Sequence, residues 1–231
     1  MGFEIYRERS AGAESMQGIR PAANVQFVTG DACKLVGGDL AKCTALDKVF
    51  FLFSVLETPA ALLRPTTPNL SDATAPMVAL AEPVGGRDLI AKTQLIGTYA
   101  PLINGVACNA NATTTQVLIT FAGASGDYTG GSIYCPELNQ HRNIVSDTQG
   151  GGVKTLVLDF PFMLGKNAVA LTTGYTVIAV PFQAGSQGIR LLDAQGLDTS
   201  VVGKAGGTIR IESVDLSGAA PFALVSFPQL Q

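Results

Sequence analysis

Tryptophan is absent from this 231-residue chain, and histidine occurs once, at His141. One histidine is too few for an ordinary zinc set, and the four cysteines, at 33, 43, 108 and 135, form no C-x-x-C pair. No resident metal or cofactor is therefore expected. Charge is scarce too: 14% of the residues are Asp, Glu, Lys or Arg, against roughly 25% in ordinary soluble domains. The 15 basic and 18 acidic residues leave a net charge of −3, with no basic cluster or stripe. Nothing is arranged to neutralise phosphates, so a nucleic-acid partner is not expected. The aromatic residues are too sparse and scattered to stack single strands. Apolar runs stop at strand length. The longest, Val49 to Leu56, falls far short of the about 18 residues that a membrane helix needs, so no membrane partner is expected. Residues 1–9, Met-Gly-Phe-Glu-Ile-Tyr-Arg-Glu-Arg, are charged where the apolar part of a secretory leader would lie. Cytoplasmic synthesis with reduced thiols follows as the expectation.

What the chain does have is apolar content, at 47%, with 26 glycines and 12 prolines. A chain so poor in charge stays soluble when other subunits cover much of its surface, which points to an assembly protein. Its organisation falls into three parts. Residues 1–21 read as an N-terminal arm: six charges in the first twenty positions, no apolar periodicity, and Pro21 as a stop. Such an arm is expected to become ordered by adding a strand to a neighbour's sheet. Residues 22–100 read as a small β-barrel interrupted by a Pro-rich excursion over 57–88, with at most a short helix near Ala60–Leu63. Residues 101–231 read as a second barrel or sandwich. From position 89 onward, strands are expected near 89–97, 115–122, 131–136, 142–147, 153–160, 174–182, 188–193, 207–214 and 221–227. Gly, Asn, Asp and Pro clusters between them recur at the spacing of all-β folds.

Residues able to carry chemistry are explained better by structure. A Ser-His-Asp triad would need His141, which opens a polar strand, and the chain lacks a Gly-x-Ser-x-Gly elbow. Asp31, Asp39, Asp47, Asp127, Asp193, Asp198 and Asp215 sit beside glycine or in turns, where Asx hydrogen bonds account for them. The eight-residue spacing of Asp31, Asp39 and Asp47 puts them in three turns, a poor source of converging calcium ligands. Gly150-Gly151-Gly152-Val153-Lys154-Thr155 lacks phosphate-loop spacing and leads into an apolar strand, so it reads as a strand connection. Asn69-Leu70-Ser71 and Asn111-Ala112-Thr113 match the glycosylation sequon by chance in a Thr/Asn-rich chain. Catalytic, cofactor and metal residues are all expected to be absent. Cys33 and Cys43 flank a Gly37-Gly38-Asp39 turn. A three-residue loop would set them face to face within disulfide reach, whereas a two-residue turn would send them to opposite faces as free thiols.

Two stretches carry a family resemblance. In the first, Asn24 to Leu35 reads Asn-Val-Gln-Phe-Val-Thr-Gly-Asp-Ala-Cys-Lys-Leu, followed by Gly37-Gly38-Asp39-Leu40-Ala41-Lys42-Cys43 and the apolar strand ending in Glu57. The second runs from Gly123 to Tyr134 through Tyr128-Thr129-Gly130-Gly131, then Gln140-His141-Arg142-Asn143-Ile144 and Leu156-Val157-Leu158. Residues 24–57 and 123–158 resemble the β-barrel patterns of head decoration (cement) and minor capsid proteins of tailed bacteriophages. The resemblance implies a non-enzymatic virion protein that binds an assembled shell of major capsid protein, often as a trimer. Two alternatives stay open. One is a shell-forming jelly roll. The other is a glycan- or receptor-binding module of a fibre, for which Tyr128 and Tyr175 are the only loop-adjacent tyrosines in the second half.

Overall fold

The computed structural model of the protein describes residues 2–8, 17–57, 78–84, 89–111, 113–121, 127–200 and 206–228. Their regular structure is all-β, as expected, with one 3-10 turn at Gly97–Tyr99. Among the described residues no helix is long and apolar enough to cross a membrane.

The chain opens with β1 (Glu4–Glu8) and then builds a five-stranded sheet from β2 (Gln17–Ile19), β3 (Ala32–Val36), β4 (Asp39–Lys42), β5 (Phe51–Glu57) and β6 (Val78–Pro83). Its order is β2-β6-β5-β3-β4. The two ends meet where Pro21 bridges Leu40: Ala22 N–H donates to Leu40 O and Leu40 N–H to Arg20 O, both at 2.8 Å. Next, β7 (Leu89–Gln94) returns to pair with β1.

A second excursion follows. It comprises β8 (Ile103–Ala107), β9 (Gln116–Thr120), β10 (Gly131–Cys135), β11 (Gln140–Gly150), β12 (Val153–Leu158), the hairpin β13 (Phe162–Leu164) and β14 (Asn167–Val169), and β15 (Thr176–Val180). Six of these form an antiparallel sheet in the order β8-β15-β10-β11-β12-β9, nearly closed by a bridge between Cys108 and Ile119. The short hairpin β16 (Leu191–Asp193) and β17 (Gly196–Leu197) leads to β18 (Arg210–Asp215) and β19 (Phe222–Ser226). These last two complete a central sheet ordered β1-β7-β19-β18. The central sheet thus takes strands from the beginning, middle and end of the chain, and both barrel-like sheets are excursions from it.

Three cores result, and they share strands. Successive side chains of a strand point to opposite faces. In β5, Phe51 and Phe53 fill the first barrel with Phe27, Cys33 and Leu40, while Leu52 faces the central core. In β10, Ile133 and Cys135 fill the second barrel, and Tyr134 faces the central core. In β15, Val177 and Ala179 point inward, and Val180 outward into the same central core. Strands buried on both faces need apolar residues at every position, so little of the chain is left for charge.

Residues 1–21, expected as an arm, contribute two strands instead. Phe3 is 3% exposed and meets Phe227 edge-on at 5.6 Å. Its N–H donates to Gly30 O at 2.9 Å, and a Cβ on Gly2 would lie 2.4 Å from that oxygen. Within the Pro-rich segment, residues 78–83 form β6, with Ala79 and Ala81 buried in the first barrel. The short helix expected near Ala60–Leu63 and the Asn69 sequon lie outside the described residues.

The turn between β3 and β4 holds two residues. Gly37 and Gly38 have φ of +60° and +91°, values that glycine adopts freely and that match the twist of a tight hairpin. Val36 therefore faces Asp39, and Cys33 faces Lys42. Cys33 points into the first barrel and Cys43 into the central core, so no disulfide joins them. All four cysteines are free and buried. Burial pushes the Cys135 thiol up to about 11 and those of Cys43 and Cys108 to about 12, which keeps them protonated.

Because Phe3 is a core residue, Phe3→Ala should lower the unfolding free energy by about 3 kcal/mol, as for other large-to-small changes in cores. Urea denaturation followed by intrinsic tyrosine fluorescence measures it. A midpoint matching the parent would return residues 2–8 to the status of an appendage.

Candidate functional site

The β10–β11 hairpin builds one wall of a cleft of about 540 Å³ against β18 of the central sheet. Its turn places Asn139 at φ +51°, where the Asn139 side chain accepts a hydrogen bond from the Tyr134 hydroxyl at 3.0 Å. Strand register then sets His141 opposite Tyr134, with ring centroids 4.5 Å apart. The Leu216 N–H donates to His141 Nε2 at 3.1 Å. That nitrogen is an acceptor, so the ring is neutral and its proton sits on Nδ1. Burial lowers the His141 pKa, and the carboxylate of Asp215 opposes the shift only in part. The ring thereby joins the second barrel to the end of β18.

Arg142 is committed within its own barrel. It donates from Nε to Pro161 O (2.8 Å), from Nη1 to His141 O (2.6 Å) and from Nη2 to Gln140 Oε1 (2.6 Å), and lies over the Phe162 ring. Gln140 also donates to Met163 O and accepts from Met163 N–H. The polar start of β11 therefore anchors the β13–β14 hairpin. Asn143 donates to both oxygens of Asp159, through its backbone N–H at 3.0 Å and its amide at 2.9 Å. Phe160 follows at the rim, 69% exposed. Ser132 on the barrel side and Ser213 on the sheet side complete the polar lining.

Apart from Asp215, which acts on His141, the other residues singled out in the sequence do not line this cleft. Asp31 is fully buried, Asp39 pairs with Arg20, and Asp47 pairs with Lys34 while capping Thr44. Burial tends to raise the Asp47 pKa, but Lys34 and the Thr44 donors outweigh it and hold the carboxyl below its ordinary value. The Gly150–Gly152 segment is a hairpin turn, with Gly150 opposite Val153. Beyond it, Lys154 points inward, 1% exposed, with Nζ 2.7 Å from Asp147 Oδ2. Asp147 also accepts the Tyr128 N–H at 2.9 Å. A charge pair inside a barrel is costly unless matched and hydrogen-bonded, and nothing in the sequence marks this strand lysine as buried. Asn111 folds its own turn, accepting from Thr113 N–H and donating to Gln116 O. Tyr128 is fully buried and Tyr175 packs against the second barrel core, so neither is a surface aromatic. Phe160 occupies that role, in a two-residue bend between strands that carries no sequence signature.

Comparisons with protein-family models, with curated proteins and with solved structures found no match.

The His141 bond to Leu216 generates a pH dependence. The folded pKa lies below the unfolded value of about 6.5, so in between only the unfolded chain binds the proton. This ring's contribution is complete above about pH 6.5 and is lost as pH falls through the folded value. His141→Phe should keep the stack on Tyr134, cost about 1 kcal/mol at pH 7.5 by leaving Leu216 N–H unpaired, and flatten the stability decline between pH 7 and 5. Urea midpoints across that range test this. Parallel profiles for variant and parent would rule out titration of His141.

Proposed function

We propose that the protein is a structural component of a virus particle: a decoration or cement protein that binds and stabilises an assembled shell of major capsid protein. The resemblance of residues 24–57 and 123–158 to tailed-phage head proteins supports this reading. So does a chain whose chemistry-bearing residues are spent on its own architecture, with His141 holding a backbone N–H and Lys154 paired inside a barrel.

One observation carries the proposal. On a surface short of charge, large apolar side chains stand in water at the tip of the β3–β4 hairpin, with Leu35 49% and Val36 55% exposed. Val28 and Val55, both 45% exposed, line a shallow apolar groove on the same barrel. Permanent assemblies cover such surfaces and exclude water from them. Attachment would occur in the virion, after synthesis in the host cytoplasm, with the protein as a homo-oligomer and most simply a trimer. Neither nucleic acid nor membrane enters this reading. The strand order departs from that of a jelly roll, which packs two four-stranded sheets face to face.

Light scattering of the purified protein, together with co-sedimentation on undecorated shells, tests the proposal. An oligomer or shell-bound protein is expected, and the double variant Leu35→Asp, Val36→Asp should weaken association at least tenfold with its melting temperature unchanged. A stable monomer without affinity for shells would overturn the assignment.

A further inference from the structure

We infer that the cleft between β11 and β18 is a binding site for a neutral sugar, a ligand class set by the cleft itself and independent of the assembly role. A pyranose ring has an apolar face of C–H groups and a rim of hydroxyls. The cleft presents the complement of both. Phe160 is the most exposed large apolar side chain among the described residues, at 69%, and it lines a cleft whose other residues are mostly polar but whose surface also holds apolar area. An aromatic face in that position stacks on the C–H side of a sugar.

Below it the hydrogen-bonding groups are already fixed. Asn143 holds both oxygens of Asp159 at 2.9–3.0 Å, and each oxygen keeps a further lone pair for a ligand hydroxyl. Asn143 has its amide oxygen left to accept. On the floor, Ser132 is 7% exposed, and its hydroxyl is available to donate into the cleft, as is that of Ser213 across from it. A preorganised set of this kind binds without the entropic cost of ordering its own side chains.

The charges exclude the competing ligand classes. An anion would meet the Asp159 carboxylate, while the one cation in the lining, Arg142, is turned to Pro161 O, His141 O and Gln140 Oε1. A cation would find a single carboxylate in the lining. Glycoside hydrolysis in most enzyme families uses a second carboxyl group across the scissile bond, and the lining holds one carboxylate, so binding alone is inferred. The volume of about 540 Å³ accommodates one or two rings.

The test is a titration of the full-length, isotope-labelled protein, followed by chemical-shift changes in two-dimensional NMR. Methyl glycosides of glucose, galactose, mannose and N-acetylglucosamine are the probes, with inorganic phosphate as the anionic control. At least one glycoside should give saturable shifts at Ser132, Asn143 and Phe160, and phosphate should give none. Phe160→Ala should weaken binding at least tenfold, and Phe160→Tyr should retain it. Because Phe160 is exposed, both variants should keep the parent spectrum elsewhere. Asp159→Ala should weaken binding as well, provided its dispersed spectrum reports an intact fold. The inference is overturned if no glycoside shifts the cleft resonances at concentrations up to tens of millimolar, if phosphate binds in preference, or if Phe160→Ala binds as tightly as the parent.

Discussion

Three donors converge on the buried carboxylate of Asp31, and the arrangement of the whole chain depends on them. Val28 N–H closes the turn before β3 at 2.8 Å. Lys42 Nζ reaches across from β4 at 2.7 Å. Gln195 Nε2 donates at 2.9 Å from the tip of the β16–β17 hairpin, 164 residues further along the chain. Beside them Ala32 N–H donates to Ala194 O at 2.7 Å, and the Tyr99 hydroxyl bonds to Asp193. A fully buried carboxylate is tolerated only with its lone pairs occupied. Folding therefore has to bring the first barrel and the late hairpin together before this charge can be buried.

The consequences spread outward through packing. The clamped hairpin contributes Leu191 and Leu197 to the central core, where they join Phe3, Leu52 and Tyr134. That core is closed on one side by the outer face of the first barrel and on another by the outer face of the second. The turn that Asp31 terminates also supplies the Gly30 carbonyl that receives Phe3 N–H, so the first strand of the central sheet starts from the same point. The same economy explains the surface. Among the described residues, charges close to the cores are paired, as in Lys154 with Asp147 and Arg190 with Asp198, while apolar tips and the Phe160 cleft stand exposed.

Much of the fold was legible in the sequence. Turn residues at regular spacing marked most strands beyond position 89, and Gly37-Gly38 marked a hairpin whose two candidate registers only the backbone could separate. What escaped has physical reasons. β6 was hidden because its alternation, Val78 to Pro83, lies in a segment rich in proline. β1 reads as an arm because Glu4, Arg7, Glu8 and Arg9 outweigh Phe3 and Ile5 in any local count, although Phe3 is buried and the strand pairs with β7. The cleft was less legible still. Its residues come from positions 132 to 214 and share no motif, and Phe160 is recognisable only by its exposure. Asp31 reads as a turn residue from its neighbours, but its tie to Gln195 is a long-range contact that local pattern does not encode.

If the Asp31 contact joins the first barrel to the rest of the molecule, its removal should be felt far from the substitution. Native-state hydrogen exchange of Asp31→Ala, read by mass spectrometry against the parent, measures this directly. Protection of the β16–β17 hairpin and of β1 should fall together with that of β3, by an amount on the order of 2–4 kcal/mol for the loss of a buried, hydrogen-bonded charge. A loss of protection confined to residues 28–42, with residues 191–197 exchanging as in the parent, would contradict the account.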